Sequence, residues 1–110
     1  MTSRTLSINE LKEKTLSIFQ AYPVIKAIIF GSYAKNEATN ESDIDLYIDT
    51  DGKLKGLDFV GLLENLIEVL GKDIDLIDKM HIMPDSSILQ EIENGGIVLY
   101  DKLQDVAKIN

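Results

Sequence analysis

Apolar residues recur along this chain with two periods, and the period changes at turn signals. Ile8, Leu11, Ile18, Phe19 and Tyr22, with Thr15 among them, fall at helical spacing. Ser7-Ile8-Asn9-Glu10 ahead of them has the form of a capping box, and Pro23 ends the helix. Val24 to Phe30 is short, apolar and β-branched, which predicts a buried strand. Gly31 punctuates it. Ser32 to Asn36 is expected to make a brief helical turn, and residues 36–42 have loop composition. From Asp43 to Asp49 the period is two: Ile44, Leu46 and Ile48 face one way, and Asp43, Asp45, Tyr47 and Asp49 the other.

Asp51-Gly52 marks a turn. Leu57 to Leu70 then returns to helical spacing, with Leu57, Val60, Leu63, Ile67 and Leu70 on the expected core face. Phe59, Leu62 and Leu66 are left over as a possible interface, and Gly71 is the expected C-cap. Asp73 to Asp78 alternates as a third strand, with Asp73 and Asp75 on one face and Asp78 on the other. Asp85 or Ser86 caps a last helix, Ser87 to Asn94, which Gly95-Gly96 stops. Ile97 to Tyr100 is a closing strand with the character of an exposed edge, and residues 101–110 are weakly patterned. This order of elements predicts a mixed α/β (α+β) domain, one small sheet with helices packed on it. Residues 1–110 form a single domain, without repeat or linker.

Composition narrows the chemistry. The net charge is −8 with no basic stripe, which disfavours direct nucleic-acid binding. Cysteine is absent, so thiolate metal sites and disulfides are excluded, in keeping with a reducing, cytoplasmic setting. The first residues carry charge without an apolar run, and no stretch suits a membrane span. The one histidine, His81, gives neither a metal cluster nor a hydrolytic triad.

The acidic face of the second strand then stands out. Asp43 and Asp45 point the same way and repel unless a cation lies between them. Magnesium, a hard cation shared between carboxylates and phosphates, suits them. Gly31 lets backbone approach a phosphate, and Ser32 offers a hydroxyl and an N–H at the start of a helical turn. Lys35, one turn on, is placed to meet a triphosphate tail. Asp75 completes a three-carboxylate, two-metal arrangement if its strand neighbours that of Asp43 and Asp45. It is preferred to Asp73 because it lies mid-strand between Ile74 and Leu76, where an idle carboxylate is costly. An EF-hand is excluded, since Ile48 stands where that loop needs glycine.

Gly31-Ser32, ten residues, then Asp43-Ile44-Asp45, flanked by Tyr33-Ala34-Lys35 and by Ser42, resembles the signature of the polymerase β-like nucleotidyltransferase superfamily. The match is closest to its minimal branch, which includes the antitoxins of MNT/HEPN toxin–antitoxin pairs, and it covers nearly the whole chain. The resemblance implies the polymerase β-like fold, Mg2+ (two ions), ATP, and transfer of AMP to an acceptor. It assigns Asp43, Asp45 and Asp75 as metal ligands and catalytic groups, with Asp75 as general base. It assigns Gly31, Ser32, Lys35 and Ser42 to the nucleotide. Asn36 stands where relatives often have glycine, and asparagine tolerates the left-handed backbone. No acceptor-binding helical domain is visible. That points to an antitoxin that modifies a tyrosine of a helical HEPN toxin. Two rival expectations are a non-catalytic antitoxin that works by contact and a small-molecule transferase of the antibiotic-modifying kind. A homodimer is compatible with either.

Overall fold

The computed structural model describes residues 5–83 and 85–103. The expected tail beyond Leu103 lies outside the described residues. Ser7 begins the first helix, α1 (Ile8–Ala21), by the capping box read from the sequence. Its hydroxyl accepts from the Glu10 N–H while the Glu10 carboxylate accepts from the Ser7 N–H, both at 3.1 Å. Two orphan N–H groups are thereby satisfied. Tyr22 closes the helix ahead of Pro23. Strand β1 (Lys26–Phe30) starts two residues later than the apolar run suggested, because Val24 and Ile25 make the bend out of α1.

Strand β2 (Ile44–Asp49) follows, then α2 (Leu57–Leu70), β3 (Ile74–Asp78), a single 3₁₀ turn (Lys79–His81), α3 (Ser87–Gly95) and β4 (Ile97–Asp101). Ser86 rather than Asp85 caps α3, its hydroxyl accepting from the Ile88 N–H. The four strands lie in the order β3-β2-β1-β4. β1 pairs antiparallel with β2 and β4, and β2 runs parallel to β3. The parallel pair is possible because α2 carries the chain back along the sheet. β4 is an edge strand, as its sequence suggested.

The two faces of the sheet differ. Ala27, Ile29, Ile44, Leu46, Ile48 and Leu99 are buried against α1 and α2 in the main core. On the other face a smaller cluster joins Phe30 and Tyr47 to Ile92, Ile88 and Leu89 of α3. One carboxylate lies in the main-core layer: Asp78, 1% exposed. It accepts from the Thr50 hydroxyl at 2.9 Å and the Met80 N–H at 3.0 Å, so its burial is compensated.

The core face of α2 is only partly the one expected: Leu70 is buried as read, but the rest of the buried stripe differs. Leu62, Leu66 and Leu70, with Phe59 beside them, pack into the core. Leu57, Val60 and Ile67 are exposed, Leu57 to 87%. This helix carries apolar residues on two sides, and spacing alone does not choose between them. The stripe at 59, 62, 66 and 70 advances by three, four and four, and it brings Phe59 inward as well. Gly71 ends the helix as read, at φ 67°, its N–H donating to the Ile67 carbonyl.

Candidate functional site

The acidic site forms where β1 ends and β2 begins. In β2 the core-facing parity belongs to Ile44, Leu46 and Ile48, so Asp45 must emerge on the α3 face. Register then sets its neighbours. Across the antiparallel pair Asp45 stands opposite Phe30, the residue before Gly31. Across the parallel pair it stands opposite Asp75. The expectation that the Asp75 strand lies beside β2 is met residue on residue.

Gly31 packs directly on Asp45. A Cβ at position 31 would overlap the Asp45 carboxylate oxygen, and the glycine also sits at φ 74°. Both facts demand the absence of a side chain. The following residues form a compact turn. The Lys35 N–H donates to the Gly31 carbonyl at 3.1 Å, and the Glu37 N–H to the Ser32 carbonyl at 2.9 Å. Asn36 takes the left-handed backbone at φ 59°, as its composition suggested. Ser32 is half-buried at the head of the turn.

Asp43 is exposed and lies one residue before β2 rather than within it. Asp75 is exposed too, so burial is not what selects it over Asp73; its register opposite Asp45 does that. Burial, and then the carboxylates of Asp75, Glu91 and Asp43, push the Asp45 carboxyl above the usual range. Like charges that close are relieved by a cation, and an all-oxygen donor set suits magnesium. Among the described residues, however, no three carboxylates or imidazoles converge tightly enough to hold a metal ion as they stand.

Glu91 was not singled out from the sequence. It lies on α3 between Ile88 and Ile92, which pack on the sheet, and that spacing was the available signal. Its carboxylate is 3.9 Å from the Lys35 ammonium, both side chains being largely exposed. Lys35 is thus on the site's rim, paired with α3. Ser42 is engaged within its own loop: its hydroxyl accepts from the Thr39 N–H at 2.8 Å. Tyr47 shares the acidic face but is buried beside Phe30 and Ile92. Tyr33 packs into the main core. His81 is exposed and stacks on Phe59, with ring centroids 6.4 Å apart.

Residues 13–105 match the family model for polymerase β nucleotidyltransferases. The chain belongs to that family. A Methanocaldococcus jannaschii protein named a candidate protein adenylyltransferase, MJ0435, is 42% identical over 79 residues, which are 72% of this chain and 85% of its own. The protein adenylyltransferase MntA of Thermococcus cleftensis is 39% identical over 51 residues, 46% of this chain and 52% of its own. A chain in the crystal structure of a toxin–antitoxin with AMP-PNP matches the fold with a TM-score of 0.69 at 25% identity, covering 86% of this chain and 76% of that one. The protein is therefore a nucleotidyltransferase with the polymerase β-like fold, and its relatives carry the name of protein adenylyltransferases. Among the described residues no helix is long and apolar enough to cross a membrane.

Proposed function

We propose that the protein transfers AMP from ATP to a tyrosine hydroxyl of a helical HEPN-type toxin, and acts as that toxin's antitoxin. The observation that carries the reading is the pairing of Asp45 with Asp75 in register, with Gly31 packed on Asp45. Asp45 and Asp75 stand side by side, with Asp43 just ahead of β2 and the Gly31 turn against Asp45, all at one end of the sheet. A purely structural domain has no need of that crowding. The similarity to named protein adenylyltransferases and to a chain of a toxin–antitoxin structure with a nucleotide analogue supports the substrate and the partner.

In this reading Asp43, Asp45 and Asp75 would hold two magnesium ions, which would supply charge neutralisation at the phosphates and a lowered pKa at the attacking hydroxyl. The Gly31 backbone and Ser32 receive the triphosphate, and Lys35 leaves Glu91 for it. Ser42 shapes the loop that carries Asp43. Asp75, at the open side of the pair, takes the proton from the acceptor hydroxyl as pyrophosphate departs.

A second reading is an antitoxin that works by contact alone. What favours it is that the carboxylates do not converge on one ion as they stand. One experiment separates the two. ATP is titrated by calorimetry with and without magnesium, on the parent and on Asp43→Asn/Asp45→Asn, and transfer of labelled AMP to a helical HEPN-type toxin is followed. The expected result is magnesium-dependent binding and transfer in the parent, with transfer lowered at least 1,000-fold in the folded variant, on the order of 4 kcal/mol. A variant that still transfers AMP would overturn the site. A variant that neutralises the toxin at full potency would favour contact alone.

A further inference from the structure

Lys72 stands between α2 and β3 and is only 8% exposed. Lysine is rarely buried without a task for its charge. Gly71 turns the chain out of α2 in the left-handed conformation. The lysine that follows reaches the loop ahead of β2, where its ammonium donates to the Asn40 carbonyl at 3.1 Å. The next residue grips the far side of the same segment: the Ile44 N–H donates to the Asp73 carbonyl at 3.0 Å. Between these two anchors lie Glu41, Ser42 and Asp43.

Asp43 precedes the strand ladder, so sheet pairing does not fix it. Its position is set by what ties its flanks. The backbone ties come from two consecutive residues, 72 and 73, on the segment that leads into Asp75, and the Thr5 hydroxyl adds a longer bond, 3.4 Å, to the Asn40 side-chain oxygen. The Ser42–Thr39 bonds close the segment internally but connect it to nothing else. A cleft of about 350 Å3 opens along this junction, with Glu41, Asp43, Lys72 and Asp73 among its lining. Lys72 is the cation in that lining, beside the three carboxylates.

We propose that Lys72 is a positioning residue: by holding the Asn40 carbonyl it fixes the segment 40–43 and keeps the Asp43 carboxylate on the face shared by Asp45 and Asp75. The inference rests on the proposed transfer reaction for its kinetic readout and not for its structural one.

The test compares the parent with Lys72→Met, which keeps the stem and loses the donor, and Lys72→Arg, which keeps a donor. Magnesium-ATP and the same HEPN-type toxin serve as substrates. Lys72→Met is expected to lower kcat at least tenfold, since small misplacements of a catalytic group carry such losses. KM for magnesium-ATP should change less than kcat, because the Gly31–Ser32 turn is untouched, and Lys72→Arg should recover most of kcat. Amide exchange supplies the second readout: residues 41–44 should exchange faster in Lys72→Met while α1 keeps its protection. If Lys72→Met fails to fold, Lys72→Gln, whose amide is too short to reach Asn40, takes its place. An unchanged kcat, a loss explained by the unfolded fraction, or a folded Lys72→Arg without recovery would overturn the proposal. If the parent transfers nothing, the functional reading fails, and exchange alone decides: selective loss of protection at 41–44 supports the positioning role, and unchanged protection overturns it.

Discussion

The two faces of the sheet are built from the same strands and have opposite properties. In β2 the residues at 44, 46 and 48 are fully buried aliphatics under α1 and α2. The residues at 43 and 45 are carboxylates on the face that α3 covers only in part. Strand parity separates the two tasks. One face is packed to hold the fold. The other gathers like charges that work against it, and this is tolerable because the first face is well packed. The comparison teaches that changes on one face should be read in stability and changes on the other in chemistry, and that the exceptions are the residues joining them.

Gly31 is such a joint, and a change there should register on both faces at once. It ends the strand that fills the core and lies against Asp45. In Gly31→Ala the new methyl group must displace the Asp45 carboxylate, and the residue must keep a left-handed backbone. Stability should fall by about 1–3 kcal/mol and AMP transfer by about 100-fold. Chemical denaturation and single-turnover transfer check the two arms. A loss in stability alone would show that the site tolerates a shifted Asp45 and would break the link between the faces.

The second prediction stays on the packed face. Leu66→Ala should cost about 2–5 kcal/mol, the usual range for a fully buried leucine. Leu57→Ala, on the exposed side of the same helix, should change stability by no more than about 0.5 kcal/mol. Urea midpoints measured side by side decide it. Equal costs would mean that α2 is buried on both sides in solution and that the exposed stripe is covered.

That helix also shows where reading the sequence stops. Local signals were legible: the capping box of α1, the alternation in β2 and the Gly71 stop follow from local rules, and the α3 cap was narrowed to Asp85 or Ser86. So was the pairing of Gly31-Ser32 with Asp43 and Asp45, because a turn and a strand parity are local too. The face of α2 was not legible, since both sides are apolar and the choice depends on how the helix meets the sheet. Of the two reasons for Asp75, the neighbouring strand holds, through the β2–β3 register, while the expected burial between Ile74 and Leu76 does not, since Asp75 is exposed. Glu91 and Lys72 were missed because their roles exist only across long sequence separations, with Lys35 and with Asn40.

The smallest effect is the most direct measure of the strain on the acidic face. Asp45 is held above the ordinary carboxyl range by burial and by Asp75, Glu91 and Asp43. The unfolded chain has the ordinary value, about 3.9. Between that value and the raised one, the folded state keeps a proton that the unfolded state has released. Stability therefore falls as pH rises through this window, and the full penalty is present above it. Asp45→Asn removes the ionisation. At pH 7 the variant should melt a few degrees above the parent, and the difference should shrink as pH is lowered toward 4. Glu91→Gln should raise the melting temperature less, because its carboxylate acts on Asp45 from α3 and also pairs with Lys35. Adding magnesium-ATP should reverse the order, since bound cations turn the same repulsion into a reason to fold. Thermal melts from pH 4 to pH 8, with and without magnesium-ATP, make the test. If parent and Asp45→Asn melt together at every pH, the carboxylates are not crowded in solution, and the second face differs from the first only in what covers it.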